Sequence, residues 1–218
     1  TEELGNRTKR KDNFVIKSTS KLANAIIATS IAKKESKPLL VIVPSLDEAT
    51  RWYSILELIG WRKSFIYPSS ESSPYELFDI TTEIIWGQLQ VLSELINYKT
   101  NNDIVIIATE KSLQKHLPPV NVFSNNCINL SVNQEINIGE LSSFLISIGY
   151  NRKNITDQEG TWSRRGDIID IFPVSNELPI RLELFGNNIE KIKEFDSTSQ
   201  RSINNIDSIY ITPNGINP

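Results

Sequence analysis

Arg165, Asp170, Arg181 and Glu183 are the residues in this sequence whose types and spacing could do chemistry together. They fall in Arg165-Gly166-Asp167-Ile168-Ile169-Asp170-Ile171-Phe172-Pro173 and Ile180-Arg181-Leu182-Glu183-Leu184-Phe185-Gly186, a pattern that predicts a β-hairpin. Residues two apart share a face of a strand, so Ile180, Leu182 and Leu184 point one way while Arg181 and Glu183 point the other. Two cations and two carboxylates are thereby fixed on rigid β structure. Such charges suit recognition of another macromolecule, because the planar guanidinium fork binds carboxylates in a bidentate manner. The internal alternative is that Arg181 and Asp170 pair across the strands while Arg165 caps the hairpin. The sequence leaves both readings open.

Catalytic chemistry finds less support. A parallel α/β domain binds phosphates at its first strand-to-helix turn, which here reads Ile16-Lys17-Ser18-Thr19-Ser20-Lys21. It contains no glycine, so a side chain at every position hinders successive amides from turning toward an anion, and Lys21 alone does not replace the missing geometry. The stretch reads instead as a degenerate phosphate loop with Ser18 or Ser20 as helix N-cap. His116, the single histidine, lies at a predicted helix end with no nucleophile elbow beside it, so a serine triad is not expected. Cys127, the single cysteine, reads as a small buried or half-buried side chain. Glu183, Glu190, Glu194 and Asp196 are dense enough for a metal or glycosidase pair, yet exposed strand faces produce such density routinely. Trp52, Trp61 and Trp86 fall in or beside helices and are expected to pack, leaving Trp162 at the hairpin entrance as a contact candidate. No catalytic residue, cofactor or metal is expected.

The first half alternates strand and helix. Phe14-Val15-Ile16 reads as a short strand, followed by a helix bearing Leu22, Ala25, Ile26 and Thr29. Leu39 to Val43 is a continuous apolar strand of the kind buried on both faces. Ser45-Leu46-Asp47-Glu48 has the form of a capping box opening a helix with Ala49, Trp52, Tyr53 and Leu56 in one stripe, closed by Gly60. Strands at Phe65–Tyr67 and Ile104–Ala108 flank a helix from Thr82 to Ile96 with Ile85, Leu89, Leu92 and Ile96 inward. This order predicts a parallel sheet. Pro118-Pro119 marks a linker. Beyond it come a strand at Cys127–Val132, a helix at Ile138–Gly149 bearing Leu141, Phe144, Leu145 and Ile148, and antiparallel strands from Thr161 to Thr212. Ile189, Ile192 and Phe195 are spaced by three, which predicts a bulge in that strand. The expected architecture is therefore an α/β parallel-sheet domain over residues 1–126 and a small α+β domain with an antiparallel sheet over 127–218.

Composition narrows the classes. The chain of 218 residues is 39% apolar and 22% charged, within the range of well-packed globular protein. No apolar run reaches the roughly 18 residues of a membrane span, and a cytoplasmic location is expected. Net charge is −3, and residues 127–218 hold 8 basic against 12 acidic residues. Affinity for nucleic acid rests largely on neutralised phosphates, so strong DNA binding by this chain alone is not expected. The basic run Arg7 to Lys11 reads as a solvated arm. With Thr1 in first place and no methionine, the chain reads as a fragment of a longer protein.

Several segments then resemble a known family in one order. Tyr150-x-Arg152, Gly160-Thr161-Trp162, Arg165 to Pro173, Arg181 to Gly186 and Phe195-Asp196-x-x-x-Gln200-Arg201-Ser202 resemble the second domain shared by bacterial excinuclease B and the transcription-repair coupling factor. Tyr67-Pro68-Ser69-Ser70-Glu71-Ser72-Ser73-Pro74-Tyr75-Glu76 and Trp86-Gly87-Gln88-Leu89-Gln90-Val91-Leu92 resemble the coupling factor in particular. The resemblance covers residues 13 to 213. An intact phosphate loop and an aromatic-rich hairpin, both features of excinuclease B, are missing here. The resemblance implies the N-terminal module of the coupling factor, a non-enzymatic scaffold that binds excinuclease A and recruits nucleotide excision repair to RNA polymerase stalled at DNA lesions. The ATP-dependent motor acting on double-stranded DNA would lie outside the chain, with no membrane partner. The family contact residues match Arg152, Arg165 and Glu183, and Arg181 beside them is expected to bind the partner as well, while one family arginine falls on Ser163, next to Arg164. The alternative implied by the relatives is a nucleotide- or damaged-DNA-binding module like excinuclease B.

Overall fold

The computed structural model describes residues 15, 20–69, 79–98, 103–114 and 117–216. Phe14 and Ile16 of the expected first strand, the loop Lys17–Thr19, the arm Arg7–Lys11, Ser70–Glu76 and His116 lie outside the described residues, while Val15 is described and is 87% exposed. Contacts divide the chain into two units, residues 1–72 with 97–115 and residues 73–96 with 116–218.

In the first unit, α1 (Lys21–Glu35), β1 (Leu39–Val43), α2 (Leu46–Ile59), β2 (Lys63–Tyr67) and β3 (Ile104–Thr109) build a three-stranded parallel sheet in the order β1-β3-β2. The order explains one departure from expectation. Among the described residues, β3 takes the centre and is buried throughout, whereas β1 lies at the edge with Leu40 and Ile42 53% and 54% exposed. Its apolar run is therefore covered on one face only, where Leu39, Val41 and Val43 pack with Ala25, Ala49, Leu56 and Trp61. Ser45 caps α2 by accepting the Glu48 amide at 3.4 Å. The other half of the expected box is replaced, because the Glu48 carboxylate lies 2.6 Å from Lys21 Nζ and 3.3 Å from Arg51. Gly60 closes the helix at φ 99°, a left-handed conformation that glycine adopts without a Cβ clash. Ser20 stands at the N-cap of α1, and its side chain makes no capping hydrogen bond.

The second unit begins with α3 (Asp79–Ile96), three residues longer at its start than its apolar stripe suggested. Leu89 packs with Phe123 and Val174, and Ile85, Leu92 and Ile96 join them. Pro118-Pro119 is more than a linker, since Pro119 occupies the N-cap of a short helix α4 (Val120–Asn125). Proline is tolerated at a helix start because the amide it lacks has no intrahelical partner there. Then come β4 (Ile128–Ser131), α5 (Ile138–Ser147), β5 (Asn151–Arg152), β6 (Thr161–Arg165), β7 (Ile168–Phe172), β8 (Ile180–Phe185), β9 (Asn188–Phe195), β10 (Ser202–Ile206) and β11 (Ser208–Ile211). Six of these strands form a sheet in the order β10-β9-β8-β7-β6-β5, antiparallel except where the two-residue edge strand β5 runs parallel to β6. β11 pairs with β4 in a separate two-stranded sheet.

Strand alternation sends Trp162, Ile169, Ile171, Ile180, Leu182 and Leu184 into one core with Leu141 and Leu145 of α5 and Leu130, Ile209 and Ile211 of the small sheet. Asn137 caps α5 by accepting the amides of Gly139 and Glu140. The bulge expected in β9 is present, as a register shift between Glu183 and Leu184 against that strand. It brings Ile189 and Ile192 to the same core face despite their spacing of three. Trp162 is corrected from contact candidate to core residue, because it is 1% exposed and belongs to this cluster.

Candidate functional site

Successive ladders write a row of polar residues across the sheet face opposite the core. The turn at Gly166-Asp167 fixes the β6–β7 register so that Ser163 stands against Asp170, and Gly166 is left-handed at φ 61°. Asp170 stands against Arg181 on β8, and Arg181 against Lys193 on β9. Glu183 is two residues further along the same face, opposite Ile168 on β7 and Lys191 on β9.

Asp170 organises this row. Its side chain is 1% exposed, and a carboxylate stripped of water is costly unless cations and donors replace the water. Arg181 supplies both arms of a fork, Nε to Oδ1 at 2.7 Å and Nη2 to Oδ2 at 2.9 Å. Its remaining nitrogen donates to the Gln200 carbonyl at 3.2 Å, and the guanidinium lies 4.6 Å from the Phe195 ring centroid. The hydrogen bonds to the Asp170 carboxylate hold the Arg181 guanidinium above the usual arginine range. Two loops close over it. Thr156 Oγ1 lies 3.1 Å from Ser163 Oγ and 3.3 Å from the Asp170 carbonyl oxygen, while Gln200 donates to the Thr156 carbonyl at 3.3 Å. Ser163 is consequently buried, and the exposed cation beside it is Arg164.

Arg165 reaches the same carboxylate from the neighbouring strand, with Nη2 3.2 Å from Oδ2, yet its side chain remains 56% exposed. Two guanidinium groups share one carboxylate, so the cluster is net positive, and solvent reaches it chiefly at Arg165. Glu183 is tied to Lys193 at 2.6 Å, and both side chains are about a quarter exposed. Arg152 stands at the sheet edge in the row of Trp162, its guanidinium 5.3 Å from the indole ring centroid. With Lys153, Asn154, Ile155, Asp157, Arg164 and Arg165 it lines an open depression.

The structure thus gathers Arg165 and Arg181 on one carboxylate, sets Arg165 and Arg152 around the same depression, and leaves Glu183 two residues along the strand from Arg181. Arg181 is 14% exposed and commits every guanidinium nitrogen internally, which favours the cross-strand pairing read from the sequence. Sequence reasoning missed Lys193, Thr156 and Gln200. Counting outward from the Gly186-Asn187 turn approaches Lys193, although the bulge moves that count by one residue. Nothing local announces Thr156, and Gln200 stands in the motif Phe195-Asp196-x-x-x-Gln200 without a role there, because both roles arise when two loops meet. The carboxylates considered for a metal are otherwise engaged, Glu190 with Lys191 at 3.9 Å, Glu194 with Asn204 at 3.0 Å and Asp196 with the Ser199 amide at 2.6 Å. Cys127 is half-buried and donates to the Phe123 carbonyl, and burial pushes its thiol up.

Comparison with known proteins places this surface in a family context. Residues 128–216, which contain the whole six-stranded sheet, match the UvrB interaction domain. The chain is 31% identical over 192 residues to a transcription-repair-coupling factor of Bacillus subtilis, a match covering 88% of this chain and 16% of the relative. Proteins of the same description from Staphylococcus haemolyticus and Staphylococcus aureus are 29% identical over 201 residues and 32% identical over 188 residues. Those matches cover 92% and 84% of this chain, and 17% and 16% of the relatives.

Proposed function

Because the chain is homologous to part of the transcription-repair-coupling factors and carries a UvrB interaction domain over residues 128–216, we propose that it is a docking module for excinuclease A and performs no turnover. The surface that binds is the polar face and adjoining edge of the six-stranded sheet, with Arg165, Arg152 and Glu183 meeting the partner and Arg181 holding the row together from beneath. The observation that carries this reading is the exposed Arg165 guanidinium, fixed by a buried carboxylate within the matched domain. A side chain already held in place loses less freedom on binding, and desolvated charge pairs discriminate between partners. Within a longer protein of this kind, the module would bring nucleotide excision repair in the bacterial cytoplasm to RNA polymerase stalled on damaged double-stranded DNA, with the ATP-driven motor elsewhere in the chain.

The test is an equilibrium titration of purified excinuclease A with the 218-residue chain. R165E and E183R are each expected to weaken binding by about 2 kcal/mol or more, near thirtyfold, with the melting temperature of R165E almost unchanged. Affinity that both charge reversals leave intact would move the interface away from this face. Tight magnesium-dependent ATP binding, or salt-sensitive binding of damaged duplex by this chain in place of excinuclease A, would replace the docking reading with a nucleotide- or DNA-binding one.

A further inference from the structure

We infer that Asp170 is a positioning residue for partner binding: it sets the Arg165 guanidinium in the orientation that an incoming carboxylate meets, while Arg181 serves as its internal counterion. The inference rests on the docking reading above and assigns a role to a residue that no solvent-exposed partner group can reach. Asp170 is 1% exposed, so its contribution to any contact passes through the side chains it holds. The hydrogen-bond pattern separates those side chains into two kinds. Arg181 is forked onto Oδ1 and Oδ2, bonded to the Gln200 carbonyl and laid against Phe195, so it is fixed on every side. Arg165 is held through Nη2, which donates to Oδ2, and its side chain is 56% exposed. A long, rotamer-rich side chain is thereby anchored at one nitrogen while much of it stays open to solvent. Anchoring before contact removes part of the ordering cost that a free arginine incurs on binding.

Positioning and bulk charge predict opposite signs. D170N removes a negative charge beside two cations, so the patch becomes more positive and a carboxylate-bearing surface would be attracted more strongly if charge alone governed. Loss of positioning acts the other way, because the amide is a weaker acceptor for Arg165. In the titration with excinuclease A, D170N is expected to weaken binding about fivefold or more, the order expected for ordering one long side chain. In an Arg165→Ala background, D170N is expected to add no further loss of affinity, while its cost in melting temperature persists in both backgrounds. This split separates positioning from a merely structural effect. Arg165→Lys keeps the charge on an exposed residue whose replacement leaves the fold intact, and it covers the case in which D170N fails to fold. It is expected to bind nearly as weakly as Arg165→Ala, since the ammonium lacks the planar fork. Unchanged or tighter binding by D170N, additive losses with Arg165→Ala, or full affinity in Arg165→Lys would each overturn the inference alone. Absence of binding by the unsubstituted chain would overturn the docking reading and this inference together.

Discussion

Asp170 sits beneath two guanidinium groups of unequal burial, so removing either arginine has a different consequence for stability. Arg181→Met leaves a buried carboxylate with only the partly solvated Arg165, and it should destabilise the chain by about 3 kcal/mol in urea denaturation. Arg165→Ala removes a screened partner and should cost less than about 1 kcal/mol. Equal costs would mean that Arg165 carries the internal pair. Much of this was legible in the sequence, because strict alternation puts Asp170 on the polar side of β7 and Arg181 on the polar side of β8, where the ladder sets them opposite each other. What alternation alone leaves open is which of the polar side chains stays exposed. That is decided by the loops bearing Thr156 and Gln200, which bury Ser163 and most of Arg181 and leave Arg165 outside.

Helix starts and strand order govern the elements that carry these residues. Asn137 satisfies two amides at the start of α5, whose Leu141 and Leu145 form the floor of the six-stranded sheet. Asn137→Ala should therefore cost about 1 kcal/mol in the same denaturation experiment. Leu145→Ala, at a fully buried position, should cost about 2 to 5 kcal/mol. A smaller loss at Leu145 than at Asn137 would contradict the packing described. Helix stripes and caps were readable because they depend on neighbours within one turn. Exposure of Leu40 and Ile42 was not, since an apolar run looks the same at the centre of a sheet and at its edge. The bulge in β9 was readable from Ile189 and Ile192, whose spacing of three cannot otherwise serve one face. Phe195 does not extend that pattern, because it lies beneath Arg181 on the opposite face from Ile192.

For the whole molecule, the titrating groups define a plateau of stability with an acid and an alkaline limb. Asp196 is held below the usual carboxylate range by hydrogen bonds from Ser199, and Glu48 by its bond from Lys21. Their contribution is in place above the ordinary carboxylate pKa of about 4 and is lost as pH falls through the depressed folded values. Burial pushes the Tyr150 phenol up, with its hydroxyl donating to the Thr212 carbonyl at 3.1 Å and accepting from the Val174 amide at 3.2 Å. Only the protonated form suits the fold, so stability is complete below the ordinary tyrosine pKa of about 10 and declines as pH rises beyond it. Melting temperature measured against pH should show both limbs, with D196N softening the acid one and Tyr150→Phe the alkaline one. The central claim, that the second unit offers its charged sheet face to excinuclease A, is tested most directly by arginine-selective chemical footprinting read by mass spectrometry. Arg165 and Arg152 should lose reactivity when excinuclease A is added, while Arg51, exposed on α2 of the first unit, reacts as before. Undiminished labelling of Arg165 and Arg152 in a saturated complex, with Arg51 protected instead, would contradict the account.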